Sequence, residues 1–259
     1  MAVPRRWLAV AAAVFVATAA ACGADGNADT SATTTTSSQS GTTAESSTTT
    51  TGGGDSEITE EQLTEALLTV DDLPSGFEAS SNEDEESDAD DDEDLKADDP
   101  GCQHALDALD AATDDEDDGI TALATFQRDE VEEVEHELKA VPDAADRIER
   151  VRATLEEDCG NRVEFGTDDS GSGVLEVVDG AQHGDGTFYV KMSVTATEDG
   201  TELEATAIVV YGANAGVGSR ISLATVDIPS MSVDADEPTM EDAERLAATA
   251  QERYDDVFG

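Results

Sequence analysis

The stretch "TFYVKMSVTATEDGTELEATAIVVYG" runs from Thr187 to Gly212 and decides the fold class. In its first half Phe188, Val190, Met192, Val194 and Ala196 alternate with Tyr189, Lys191, Ser193 and Thr195, the period of a strand with one apolar face. Asp199-Gly200 is a hairpin turn of the tight primed type, since both residues tolerate the positive φ that such a turn demands. "TELEATAIVVYG" then returns as the second strand, so the pair is antiparallel.

Reading outward, Val174 to Val178 is a short strand on one side, and "GANAGVG" is a turn leading to a strand from Val217 to Ile228 on the other. Further upstream, Ile120 to Gln127 is apolar with β-branched members. Val134, His136, Leu138 and Ala140 alternate through "VEHELKAV". Helical spacing appears in four places. Thr59 and Gln62 form a capping box that opens Ile58 to Leu68. Cys102 to Ala112 puts Cys102, Leu106 and Leu109 on one face, and Asp143 to Asp158 does the same for Ala144, Ile148, Val151 and Leu155. Thr239 caps a last helix with Ala243, Leu246, Ala250 and Val257. Strands joined by hairpins, with helices before and after them, predict an α+β domain. The expectation is one domain over 57–259, an antiparallel sheet with helices packed on one face. An acidic insert at about 80–99 interrupts it, with hardly an apolar residue and a solvated or disordered character.

The N-terminal region reads differently. Met1 to Arg6 is a basic segment, Trp7 to about Thr18 is apolar, and small residues lead into Cys22. A membrane span needs about 20 apolar residues, so 1–21 reads as a signal peptide. Ala19, Ala20, Ala21 and Cys22 resemble a bacterial lipobox, which implies diacylglyceryl on Cys22 and anchoring on the lipid bilayer at the extracytoplasmic face of the cell membrane. The same residues satisfy the ordinary A-x-A cleavage rule, in which case Cys22 is merely the first mature residue. Threonine, serine and glycine fill the rest of 22–56, a composition that cannot offset the cost of ordering, so it reads as a disordered tether. Its typical reach is on the order of 30–35 Å.

With 62 acidic against 13 basic residues the chain has a net charge of −49. That balance excludes nucleic acid as a partner, because phosphate binding needs a basic face that releases counterions. It fits a solvated acidic surface, of the kind suited to high salt, more readily than a cation site. Two acidic stretches approach calcium-loop spacing, one with Asp88, Asp90, Asp92, Asp94 and Asp99, the other with Asp114, Glu116 and Asp118 before Gly119. The first has Glu93 where the turn requires glycine, and the second has Thr125 where a bidentate acid belongs, so no metal site is assigned.

Cys102 and Cys159 remain when Cys22 is lipidated, and disulfides persist in exported domains. Their bridge would close a loop of about 58 residues, worth about 4 kcal/mol in the chain-entropy model. Two free thiols or a metal pair are the alternatives, the latter without nearby Cys or His spacing. His104, His136 and His183 show no zinc-hydrolase pattern, and His136, in an alternating strand, reads as a satisfied, partly buried residue. Ser172 lacks the flanks of a nucleophile elbow, and Gly212, Gly216 and Gly218 open no convincing helix that could cradle phosphate. No nucleophile, base and orienting residue can be named together, so no catalytic residue, enzyme activity or cofactor is assigned. Tyr189, on the sheet face opposite Phe188, is the one groove candidate.

"ALLTVDDLPSGF", a cysteine beside a helix, "TFQRDEVEEVEHELKAVPDAADRIERVRATLEEDC", a hairpin ending in "ATAIVVYGANAG" and a C-terminal helix together resemble small actinobacterial lipoproteins. The same plan is similar to the extracellular sensor domains of mycobacterial receptor kinases of the PknH type, over about Ile58 to Gly259. The resemblance implies an α+β domain with a groove for an unidentified ligand or protein of the envelope. The competing expectation is a structural or interaction lipoprotein with a cation-buffering acidic surface and no small-molecule pocket.

Overall fold

The hairpin of Thr187 to Gly212 stands at the middle of the sheet in the computed structural model, which describes residues 58–80, 95–113, 119–129, 131–166, 171–198, 201–227 and 236–259. In chain order the elements are α1 (Glu60–Ala66), β1 (Glu78–Ser80), β2 (Lys96–Ala97), α2 (Pro100–Thr113), β3 (Thr121–Arg128), β4 (Glu132–Ala140), α3 (Ala144–Cys159), β5 (Arg162–Gly166), β6 (Ser172–Val178), β7 (Gly186–Glu198), β8 (Thr201–Asn214), β9 (Val217–Asp227) and α4 (Met240–Phe258). A 3-10 turn at Val70–Asp72 follows α1. Among the described residues the strands form one antiparallel sheet in the order β1-β3-β4-β9-β8-β7-β6-β5-β2. The signal peptide, Cys22, the tether, the Asp199-Gly200 turn and the Asp88–Asp94 and Asp114–Asp118 stretches lie outside the described residues.

Fold class and strand sense agree with the sequence reading, and the Thr59–Gln62 capping box is present as expected. The helices, however, divide between the two faces of the sheet, where cover on one face was expected. Phe188, Val190, Met192 and Val194 of β7 pack with Ala105, Leu106 and Leu109 of α2 and Val151 and Leu155 of α3. Tyr189 of β7, with Ile208 and Val210 of β8 and Ile221 and Leu223 of β9, packs under Ala243, Leu246 and Ala250 of α4. Successive strand residues point to opposite faces, so these are two cores separated by the sheet. The physical reason lies in "AIVVYG": a central strand with an unbroken apolar run has two faces to cover. α1 extends the α4 side, where Leu63, Ala66 and Leu67 meet Ala122, Leu138 and Val217, with Ile58 and Phe258 against them.

Three stretches that the sequence left unassigned complete the sheet: β1 and β2 at its edges and β5 next to β2. Lys96–Ala97, inside the segment read as an insert, pairs with β5. β5 itself pairs with β6, where Phe165 sits against Gly173 so closely that a Cβ there would lie 2.3 Å from its ring.

Candidate ligand-binding cleft

The geometry of the site follows from β4. Because Val134 and Leu138 of "EEVEHELKA" serve the core on the α4 side, Glu133, Glu135, Glu137 and Lys139 must emerge on the α2–α3 side. The register then aligns Glu137 with Arg220 of β9, Arg220 with Tyr211 of β8, and Tyr211 with Phe188 of β7. One row across four strands thus passes from a carboxylate through a guanidinium to two aromatic rings. Those rings stack with centroids 4.8 Å apart. Ala144, Arg147, Ile148 and Val151 of α3 stand over this row, and Val141 and Leu109 close the sides. The cleft between them has about 580 Å³ of empty space, its open mouth included.

Its floor is ionic and nearly dry. Arg220 Nε donates to Glu137 Oε2 at 2.9 Å, and Arg220 Nη2 donates to Glu135 Oε1 at 2.6 Å. The three side chains retain only 13%, 11% and 15% exposure for Arg220, Glu135 and Glu137. Burial pushes the Glu135 carboxyl above its usual range, against the opposing pull of Arg220, while Glu137 adds to the rise. Burial also works against the charge on Arg220, but Glu135 and Glu137 outweigh it and its pKa is raised. A guanidinium between two carboxylates satisfies its own donors, so the floor is a fixed array of charge and offers no acid–base pair. Gly212 and Gly218 line the cleft, and a Cβ at 218 would reach Ala144 of α3 at 3.8 Å.

The residues singled out from the sequence lie elsewhere. Tyr189, the groove candidate, is fully buried beneath α4 and lines no part of the cleft. Its hydroxyl donates to Ala181 O at 2.8 Å, and burial, with the charge of Glu244 behind it, pushes the phenol up to about 12. His136 is completely buried: its Nδ1 accepts from Leu68 N–H at 3.0 Å, which leaves the proton on Nε2 to face Ser219 Oγ at 3.3 Å. His183 is tied through its backbone to Thr187, and exposed His104 pairs with Asp158 at 3.0 Å. Cys102, in the first turn of α2, and Cys159, the last residue of α3, are free thiols within hydrogen-bonding reach of each other. The Cys159 thiol is pushed up to about 12, by desolvation first and by Cys102 next. Among the described residues no cluster of His, Cys, Asp and Glu is arranged to hold a metal, and no helix is long and apolar enough to cross a membrane.

Arg220, Glu135, Glu137, Lys139 and Arg147 escaped the sequence reading. The available signal was a lone arginine in the otherwise uncharged strand "VGSRISLATV", beside the glutamate-rich strand "EEVEHELKA".

The fold and the cleft together define an α+β domain built on a curtain of antiparallel strands, with an amphipathic cleft between one helix and the sheet. The chain is similar in structure to the extracellular domain of PknH from Mycobacterium tuberculosis, at a TM-score of 0.47 and 11% identity, over 78% of this chain and 100% of that one. It is also similar to an uncharacterized protein of Mycobacterium smegmatis, the Rv0999 ortholog, at a TM-score of 0.44 and 13% identity, over 75% of this chain and 96% of that one. No family model and no curated protein matches the chain. Likeness of this degree leaves the chemistry to be read from the cleft.

Proposed function

We propose that this chain is an extracytoplasmic, membrane-anchored lipoprotein whose folded domain binds a small ligand in the cleft between α3 and the sheet, in the manner of a sensor. The observation that carries the reading is a concave site where stacked rings and aliphatic side chains converge on a buried Glu–Arg–Glu array. Apolar clefts with a few fixed polar groups are the usual form of small-molecule sites. The anchor is the acylated Cys22, and a Cys102–Cys159 disulfide ties the helix pair behind the cleft. Intact-mass analysis of the membrane-extracted protein checks both, through the added acyl mass and the loss of two thiol hydrogens.

The test of binding is native mass spectrometry of the domain after incubation with an envelope extract, beside a Val151→Arg variant. Wild type should carry an adduct that the variant lacks. Absence of any adduct, or an adduct retained by the variant, removes the cleft from the reading and favours the structural role.

A further inference from the structure

On the face of the sheet opposite the cleft, beneath α4, lies a second cavity of about 420 Å³, its open part included. The strand register accounts for it. Leu138 of β4, Ser219 of β9, Gly212 of β8 and Thr187 of β7 stand side by side in one row. Gly212 contributes no side chain to that row, and neighbouring strands lie about 4.8 Å apart, so a gap one side chain wide opens between Ser219 and Thr187. His183 is held at its far side: its backbone N–H donates to Thr187 Oγ1 at 3.1 Å, and its carbonyl accepts from the same hydroxyl at 2.5 Å.

Two polar groups of the residues lining this cavity have hydrogen-bonding capacity unspent. His183 Nε2 is buried and meets no partner. Ser219 Oγ accepts from His136 Nε2–H at 3.3 Å, and no acceptor for its own proton stands within reach among the described residues. A buried polar atom left unpaired is costly, and ordered water is the usual remedy. None of the fifteen lining residues is Asp, Glu, Lys or Arg, which suits an uncharged occupant. We propose that the cavity binds a water molecule that accepts from the Ser219 hydroxyl and donates to His183 Nε2 and Thr187 Oγ1. Thr187 Oγ1 retains one lone pair for it, and three partners are what a buried water ordinarily has. The water completes a chain of bonds with one direction. Leu68 N–H donates to His136 Nδ1, His136 Nε2–H to Ser219, Ser219 to the water, and the water to His183. Leu68 thereby sets the tautomer of His136 and, through the water, that of His183, whose proton lies on Nδ1. The site is independent of any ligand in the cleft.

Long-range proton–nitrogen NMR spectra of the mature chain, labelled at its histidine nitrogens, read the tautomers at about pH 8, above the ordinary imidazole pKa. Cross-relaxation with solvent in the same sample detects a long-lived water. His183 should appear as the Nδ1–H tautomer, His136 as the Nε2–H tautomer, and the water should give a signal to Thr187. Gly212→Ala places a methyl group in the gap, 3.7 Å from Ser219 Cβ, at a position whose φ suits any residue. It should expel the water and leave His183 a mixture of tautomers while His136 keeps its own. Ser219→Ala should have the same effect on His183 by removing the donor. His183 as the Nε2–H tautomer, His183 signals unmoved by both substitutions, or the lack of a long-lived water in wild type would overturn the proposal.

Discussion

At His136 the fold stores a pH dependence. The ring has no exposure, it accepts from a backbone N–H, and its pKa is lowered to about 3, by burial first and by the nearby Arg253 charge next, with Asp72 opposing. A base whose folded pKa lies below its unfolded value contributes stability that is complete above the unfolded value, near 6.5, and fades as the pH falls toward the folded one. About 2 kcal/mol should therefore be gone by about pH 5 from this residue alone. Denaturant titrations across that range should show the loss, and His136→Leu should flatten the slope even though it lowers stability overall by orphaning Leu68 N–H. A slope unchanged by the substitution would place the acid sensitivity elsewhere. Arg220 behaves in the opposite sense. Arg220→Met leaves Glu135 and Glu137 buried together, at a cost of about 3–5 kcal/mol near neutrality. Because a carboxyl with a raised folded pKa loses stability as the pH rises, that deficit should shrink toward mildly acidic pH. Replacing all three charged residues by apolar ones of similar volume should restore most of the stability, and melting curves of the three proteins, wild type included, check the series.

Among the elements, close approach decides which glycines matter. A methyl group at Gly173 of β6 would enter the Phe165 ring, which is only 4% exposed, whereas at Gly186 of β7 it would meet nothing within 4 Å. Gly173→Ala should cost about 1–3 kcal/mol and Gly186→Ala close to nothing, by chemical denaturation. This contact was invisible in the sequence, where the "GSG" holding Gly173 was weighed only for its serine. What could be read there were elements whose own pattern is strong: the β7–β8 alternation, the Thr59 and Thr239 caps and the α3 stripe. Two things could not. β2 is two residues long and exists only because β5 supplies a partner. The cleft floor depends on which charged strand face a helix comes to lie beside, which is a matter of register and packing. Alternation in "VEHELKAV" gave the correct faces, but nothing local says that its charged face ends under α3 rather than in open water. The acidic last turn of α3 makes the same point. Glu156, Glu157 and Asp158 oppose their own helix dipole, yet Cys102 and His104, both in the first turns of α2, lie against Asp158, so one helix end answers the other.

For the molecule as a whole, 49 net negative charges repel one another in the compact state, and screening should relieve them. The melting temperature should rise on the order of 5 °C or more between about 0.01 M and 1 M monovalent salt, by calorimetry. A flat response would mean that the acidic surface imposes no such burden.

The placement of α1 carries a consequence for how the protein is made. Leu63 and Ala66, near the start of the domain, share a core with Ile58, Tyr254, Val257 and Phe258, contributed by both ends of the folded region. During synthesis Tyr254, Val257 and Phe258 join that core only on the order of tens of seconds after Leu63 and Ala66 are made. Through that interval the apolar face of α1 lacks its partners from α4. The seam between α1 and α4 closes only after α4 has been made.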